Sequence, residues 1–174
     1  MDATEYDWEG FRALAGRLDA LLVDELTIGD FDTFAETCRR TLAFLYAAGV
    51  SMPAAGDVFE DAGGAEFWEG KLGAETLLPD PSAVEEEIAA LETRLRADIA
   101  QLQSDADEED YDELLGVAAR SLWDVRESLG DGMAHFDAKR MHEASWEWSF
   151  GFDEWGAHAL AATTALHDLL WGAC

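Results

Sequence analysis

Basic residues are scarce in this sequence, and their scarcity excludes whole classes of partner. The 174 residues include 11 Lys and Arg against 38 Asp and Glu, which gives a formal net charge of -27 at pH 7. A surface this negative is repelled by phosphate backbones and by anionic lipid. We therefore expect neither direct nucleic-acid binding nor binding to a membrane surface.

Cysteines and long apolar runs are also scarce. Two cysteines, Cys38 and Cys174, are too few for a disulfide framework. The longest apolar stretches, such as 43–50 and 157–166, are much shorter than the ~20 residues that span a bilayer. Residues 1–9 hold four acids and no base, unlike a secretory or transit peptide. These features predict a cytoplasmic protein.

Apolar residues, in contrast, are plentiful. They make up 49% of the chain and include seven tryptophans, which argues against a disordered polymer. A chain of this length fits one compact domain, so we expect a single helical domain over 1–174.

The pattern of apolar residues is helical along most of the chain. Apolar side chains recur at spacings of three and four in five stretches, and no convincing strand pattern is present. These stretches lie at about 6–25, 31–48, 81–102, 111–136 and 138–171. Residues 146–152 alternate like a strand, but their flanks are helical and no partner strand exists, so they too are predicted to be helical. The fold class is therefore all-α, a bundle of five to six helices.

Two segments interrupt this pattern. A glycine-rich, irregular segment covers about 54–80 and contains one short helical candidate at 66–72. An acidic segment at 104–113 holds seven acids and no base, and is predicted to be a solvated connection or the first turn of the next helix. The predicted core includes one residue set from the fourth and last helices: Leu122, Val125, Leu129, Trp148, Phe152 and Trp155.

Most catalytic signatures are absent from the sequence. The glycines match neither a dinucleotide-binding nor a P-loop spacing, and no nucleophile elbow is present. His142-Glu143 begins like a zinc-protease helix, but Trp146 stands where the second histidine should be. A calcium loop starting at Asp105 would have Asp110 at its glycine position. We predict neither an enzyme nor a cofactor.

The candidate polar site lies in the last helical stretch. Glu154 and His158 are four residues apart and so share a helix face, with Trp155 one turn below His158. This pair could hold a metal or share a proton. The simpler interpretation is a hydrogen-bonded histidine beside a tryptophan. Trp146 and Trp148 complete the candidate set. The acids Asp124, Glu127 and Asp131 share another face, which we expect to be exposed, and Cys38 is expected to act as a small buried hydrophobe.

The C-terminal third resembles the closing signature of a bacterial domain-of-unknown-function family. The resemblance rests on Ala144-Ser145-Trp146-Glu147-Trp148 with Phe152, on Trp155-Gly156-Ala157-His158, and on Ala165-Leu166-His167. It extends to Ser121-Leu122-Trp123-Asp124 with Asp131 and, more loosely, to 30–53. The sequence departs from the family pattern in its glycine-rich segment and at 123–125. The resemblance implies a small all-helical cytoplasmic protein with no known activity or cofactor, and it transfers no catalytic residue.

Three functional hypotheses remain open. The leading one is a non-enzymatic interaction module that docks a protein partner on an apolar groove rimmed by acids. The second is an acidic decoy that imitates DNA phosphates and occupies a DNA-binding protein. The third is a metal protein or an enzyme centred on Glu154 and His158.

Overall fold

Helices account for nearly all of the part of the chain that the structure describes. The computed structural model describes residues 5–23, 31–61, 81–99 and 108–172. Within these ranges the chain forms seven helices and no strand: α1 (Trp8–Val23), α2 (Phe31–Val50), α3 (Ala55–Asp61), α4 (Pro81–Ile99), α5 (Glu108–Asp137), α6 (Met141–Phe150) and α7 (Phe152–Trp171). The all-α class is confirmed.

Helix α7 lies at the centre of the core. It packs against both α2 and α5, while α1 covers α2 and α5, α4 leans on α5, and α3 packs on α6. The α2–α7 pair is antiparallel, because Gly49 near the end of α2 meets Phe152 at the start of α7, and Arg39 lies over the Trp171 ring at its end. The predicted core residues are buried, except that Phe152 is half-buried.

Helices α5, α6 and α7 form a long antiparallel hairpin. His135 of α5 faces Glu147 of α6, and Asp124 of α5 faces His158 of α7. The separation from Asp124 to His135 on α5 equals the separation from Glu147 to His158 on α6 and α7, and each corresponds to about three helical turns. The turn between α5 and α6 contains Lys139, whose φ of 63° is left-handed. The hairpin therefore fixes which residue of α7 meets which residue of α5.

Two details of the predicted architecture were wrong. The predicted stretch 138–171 is two helices, α6 and α7, separated at Gly151. The glycine-rich segment contains the unpredicted helix α3, which Pro53 precedes and which packs through the buried Val58. With these two additions the helices exceed the predicted five to six. For the acidic segment, the second of the two predicted alternatives agrees with the structure: α5 begins at Glu108, so the last six residues of the segment lie at the start of this helix, where the helix dipole favours anions. The helical candidate at 66–72 lies outside the described residues.

Four of the arginines connect helices. Arg126 of α5 binds Asp19 of α1 at 2.8 Å and Glu87 of α4 at 3.1 Å, and Arg12 of α1 binds Asp137 of α5 at 2.8 Å. Arg120 and Arg96 pair with acids across the α4–α5 contact. Most of the scarce positive charge is thus used within the fold, and a large surplus of carboxylates is left.

No helix in the described ranges combines the length and the apolar character that crossing a bilayer requires.

Candidate functional site

His158 lies beside a carboxylate, but the carboxylate is Asp124 rather than Glu154. His158 Nδ1 is 3.3 Å from Asp124 Oδ2, and the two side chains are 35% and 25% exposed. Glu154 is exposed on the same helix as His158. The expected Glu154–His158 pairing is not the contact that the structure shows, because α5 presents Asp124 to the side of α7 that carries His158. Asp124 was expected on a solvent face and is half-buried.

Trp148 is fully buried and is held by α5. Its indole Nε1 donates a hydrogen bond to the carbonyl oxygen of Leu129 at 3.2 Å. A Cβ atom at Gly132 would overlap the Trp148 ring, so glycine at this position lets the ring reach the α5 backbone. Phe11 of α1 and Phe136 of α5 pack on the same ring, with centroids 4.9 and 5.9 Å away.

Trp155 is the matching anchor on α7. Its indole Nε1 donates a hydrogen bond to the carbonyl oxygen of Trp148 at 2.9 Å, which connects α6 to α7 across Gly151. Its ring lies against Gly49 of α2, where a Cβ atom would overlap both Trp155 and Phe152. Trp155 and Trp148 are therefore structural residues, because their rings and their polar atoms are both buried and both bonded.

Trp146 lies on the other side of α6. It is 7% exposed, and Phe150 stacks on it with ring centroids 4.7 Å apart and planes inclined by 11°. Phe150 itself is 66% exposed. Trp146 and Phe150 thus form a ring pair with one buried and one solvent-facing member.

The outward face of α7 carries an exposed stripe that the sequence analysis did not single out. Its members are spaced alternately by four and three residues and are all exposed: Asp153, Ala157, Leu160, Thr164, His167 and Trp171. Leu160 is 47% exposed and Trp171 56% exposed. The alternating spacing is that of the seam of a two-stranded coiled coil. The signal is present in the sequence, but it is hidden by the stronger buried stripe on the opposite face.

Acids flank this stripe on one side. Glu154, Ala161 and Asp168 are seven residues apart and occupy the position next to the seam that usually selects a partner by charge. Glu154 is exposed and Asp168 half-buried. On the other side α2 approaches the stripe, where the Arg39 guanidinium lies 5.0 Å from the Trp171 ring centre. The outer face of α7 is thus a mixed seam with an acidic edge, in which Ala157, Leu160 and Trp171 are the apolar members.

Two other side chains, Glu127 and Cys38, have raised pKa values. Partial burial and repulsion from Asp131 raise the pKa of Glu127 on the outer face of α5. Burial raises the pKa of the Cys38 thiol to about 12, which agrees with the expectation of a small buried hydrophobe. In the ranges that the structure covers, no three His, Cys, Asp or Glu side chains converge as a metal site would require.

Comparison with known protein families identifies the family of this chain. A family model described as a domain of unknown function, DUF5063, matches residues 20–171. The chain belongs to this family. The predicted membership of a domain-of-unknown-function family is therefore confirmed. The region shared with DUF5063 covers α2 to α7 and hence the two buried tryptophans, the Asp124–His158 pair and the α7 seam. No curated protein and no solved structure matches the chain.

Proposed function

We propose that the protein is a non-enzymatic interaction module that docks a partner on the outer seam of α7. The observation that supports this most is that Leu160 and Trp171 are about half exposed on the most central helix of the fold. Large exposed apolar groups on one helix face are typical of protein contact sites. Their four–three spacing suits a second helix laid along the seam.

The partner we propose is an amphipathic helix with lysine or arginine beside its apolar face. The acids at 154 and 168 border the seam, and the chain carries a net charge of -27. Opposite charges at such flanking positions select the partner and its orientation. A second copy of this chain is a poor partner, because two surfaces of the same strong charge repel each other.

The two alternative hypotheses have narrower support. A DNA-mimicking decoy is favoured by the row Asp124, Glu127 and Asp131, but Arg120 and Arg126 lie on the same helix and break the row of negative charge. A metal protein or an enzyme is favoured by the Asp124–His158 pair, which offers two polar groups at 3.3 Å. Both alternatives are therefore ranked below the interaction module.

Site-specific photocrosslinking tests the docking proposal. A photoreactive residue at Leu160 should capture a protein from the native extract, and the crosslinked peptide should be an amphipathic segment rich in Lys or Arg. The same residue at Val117, which is 42% exposed on α5, is the matched control. With the captured partner purified, Leu160→Asp should weaken binding at least ~10-fold, a loss of ~1.4 kcal/mol, whereas Val117→Asp should not.

Two results would contradict docking on the α7 seam, and a third would favour the decoy. Equal capture from positions 117 and 160 contradicts docking on the α7 seam, as does a partner whose affinity Leu160→Asp leaves unchanged. A captured DNA-binding protein that DNA displaces supports the decoy instead.

A further inference from the structure

A cavity lies where α1 ends against α4 and α5. Its volume is about 200 Å³, several times the ~30 Å³ that a water molecule takes up in the liquid. Five of the residues that line it are apolar: Leu22, Val23, Ala90, Leu91 and Trp123. The cavity is smaller than the roughly 300–1,000 Å³ typical of pockets for drug-sized ligands, so it suits a small organic molecule.

One wall of the cavity is fixed by a satisfied polar network. Glu87 Oε2 accepts hydrogen bonds from Trp123 Nε1 at 3.0 Å and from Arg126 Nη1 at 3.1 Å. Arg126 also donates to Asp19 at 2.8 Å. Arg126 is shared between Glu87 and Asp19, so these three groups together keep one formal negative charge, and the hydrogen bond to Glu87 holds the Trp123 indole in one orientation. The polar groups on this wall are hydrogen-bonded to one another, so they do not require a ligand as a partner.

Arg94 differs from the other arginines that line the cavity or lie near it. Its Nη2 donates to the carbonyl oxygen of Leu22 at 2.8 Å, in the last turn of α1. Such carbonyls lack intrahelical donors and carry partial negative charge. Among the residues that the structure describes, no carboxylate forms an ion pair with Arg94. Arg94 lines the cavity, and a guanidinium has five N–H donors, so the bond to Leu22 leaves donors for a ligand.

We propose that this cavity binds a small organic carboxylate, with its carboxylate on Arg94 and its apolar body against Trp123 and Leu91. A guanidinium matches the two oxygens of a carboxylate in a bidentate pair. The aromatic and aliphatic walls favour a compact apolar body such as a phenyl or a branched alkyl group. A phosphate dianion fits less well, since its second negative charge would lie near the Glu87 carboxylate, which lines the same cavity. This site is separate from the α7 seam, and the two proposals stand or fall independently.

Phenylacetate and its neutral amide test the proposal on the unmodified protein. In ¹⁵N–¹H NMR spectra at constant sodium concentration, phenylacetate should shift the Trp123 indole and Leu91 amide signals saturably. Phenylacetamide has the same shape without the charge and should bind at least ~10-fold more weakly, because a charge-assisted bidentate pair with Arg94 is stronger than hydrogen bonds to a neutral amide. The absence of a saturable shift at these signals overturns the proposal, and so does equal binding of the acid and the amide.

Two arginine variants localise the contact. Arg94→Gln should weaken phenylacetate binding at least ~10-fold while the spectrum stays that of a folded protein. Arg96→Gln removes the same charge two residues away, where the arginine pairs with Glu92 and Asp112, and should leave binding unchanged. Equal losses in both variants would mean that the effect is the general charge of α4, which contradicts a specific Arg94 site. If Arg94→Gln does not fold, the comparison of acid and amide on the unmodified protein decides alone.

Discussion

The indole nitrogen of Trp155 lies 2.9 Å from the carbonyl oxygen of Trp148, so one buried tryptophan completes the hydrogen bonding of another. Trp148 is in the last turn of α6, where backbone carbonyls lack intrahelical donors. The bond therefore both satisfies a buried acceptor and fixes α7 relative to α6 where the helix is broken at Gly151.

Trp155→Phe should destabilise the protein strongly. It removes the donor to Trp148 and leaves part of a fully buried ring site empty, so the free energy of unfolding should fall by ~2–4 kcal/mol. Trp171→Phe is the matched control, since Trp171 is 56% exposed, and its cost should stay below ~1 kcal/mol. Urea denaturation followed by circular dichroism measures both. Equal costs would mean that the Trp155 bond contributes little.

Gly132→Ala should lower stability although alanine is the better helix former. The added methyl overlaps the Trp148 ring, and such overpacking costs ~1–3 kcal/mol. Gly130, two residues earlier on α5, has open space at its Cβ position. Gly130→Ala should therefore raise the free energy of unfolding by up to ~1 kcal/mol. Opposite signs for the two variants are the expected result, and stabilisation by both would contradict the close approach of Trp148.

Glu127→Gln should stabilise the protein at neutral pH. The pKa of Glu127 is raised in the folded state, so its contribution favours folding below the unfolded pKa and is lost as pH rises through the folded pKa. Removing the charge should gain ~0.2–0.5 kcal/mol at pH 7, because it ends a like-charge contact with Asp131 one turn away. At about pH 3 the Glu127 carboxylate is protonated, so the gain should vanish. A gain that persists at that pH would assign the effect to something other than charge.

Cys38 should be unreactive in the folded protein. In a Cys174→Ser variant it is the one remaining thiol. With a pKa of about 12, only roughly one molecule in ten thousand is a thiolate at about pH 8. A disulfide reagent should therefore label it only as fast as the protein unfolds, and completely in guanidinium chloride. Rapid labelling in native buffer would show that the thiol is accessible. The raised pKa also means that stability is fully present below the unfolded pKa of the thiol, about 8.5, and is lost as the pH rises towards the folded value.

Added salt should stabilise the protein. The arginine pairs use most of the positive charge, so repulsion among the surplus carboxylates dominates and is screened over ~8 Å at physiological ionic strength. A gain of ~1 kcal/mol corresponds to a rise of ~2–4 °C in melting temperature. Tetramethylammonium chloride, which screens without entering carboxylate clusters, should act like sodium chloride. A flat or falling curve would show that the helix-bridging pairs outweigh the repulsion.

The fold class and most of the core could be predicted from the sequence, because helical periodicity reports burial directly. Leu122, Trp148 and Trp155 are buried where their spacing placed them. The break at Gly151 was missed because glycine occurs inside helices of this chain as well, at 132 and 156. Helix α3 was missed because a seven-residue helix is too short to show a period.

The candidate site was predicted only in part, because periodicity relates residues on one helix and not between helices. The Glu154–His158 pairing followed from same-helix spacing, whereas the partner of His158 comes from α5 across the hairpin. The α7 seam and the Arg94 cavity likewise depend on which neighbours cover a helix face. That information lies in the three-dimensional packing.

The α5–α6–α7 hairpin should tolerate insertions poorly, because its two facing pairs are separated by the same three helical turns on both sides. Helix α7 follows α6 with only Gly151 between them, and both helices pack against α5. One residue added or removed within α6, or within α7 before Trp155, turns the rest of that helix by ~100°. An added residue before Trp155 would place Glu154 at the buried position of Trp155, and a removed residue would place Gly156 there. Insertions and deletions accepted by natural variants of this chain are therefore expected before α5 or beyond α7, and the hairpin itself should keep a constant length.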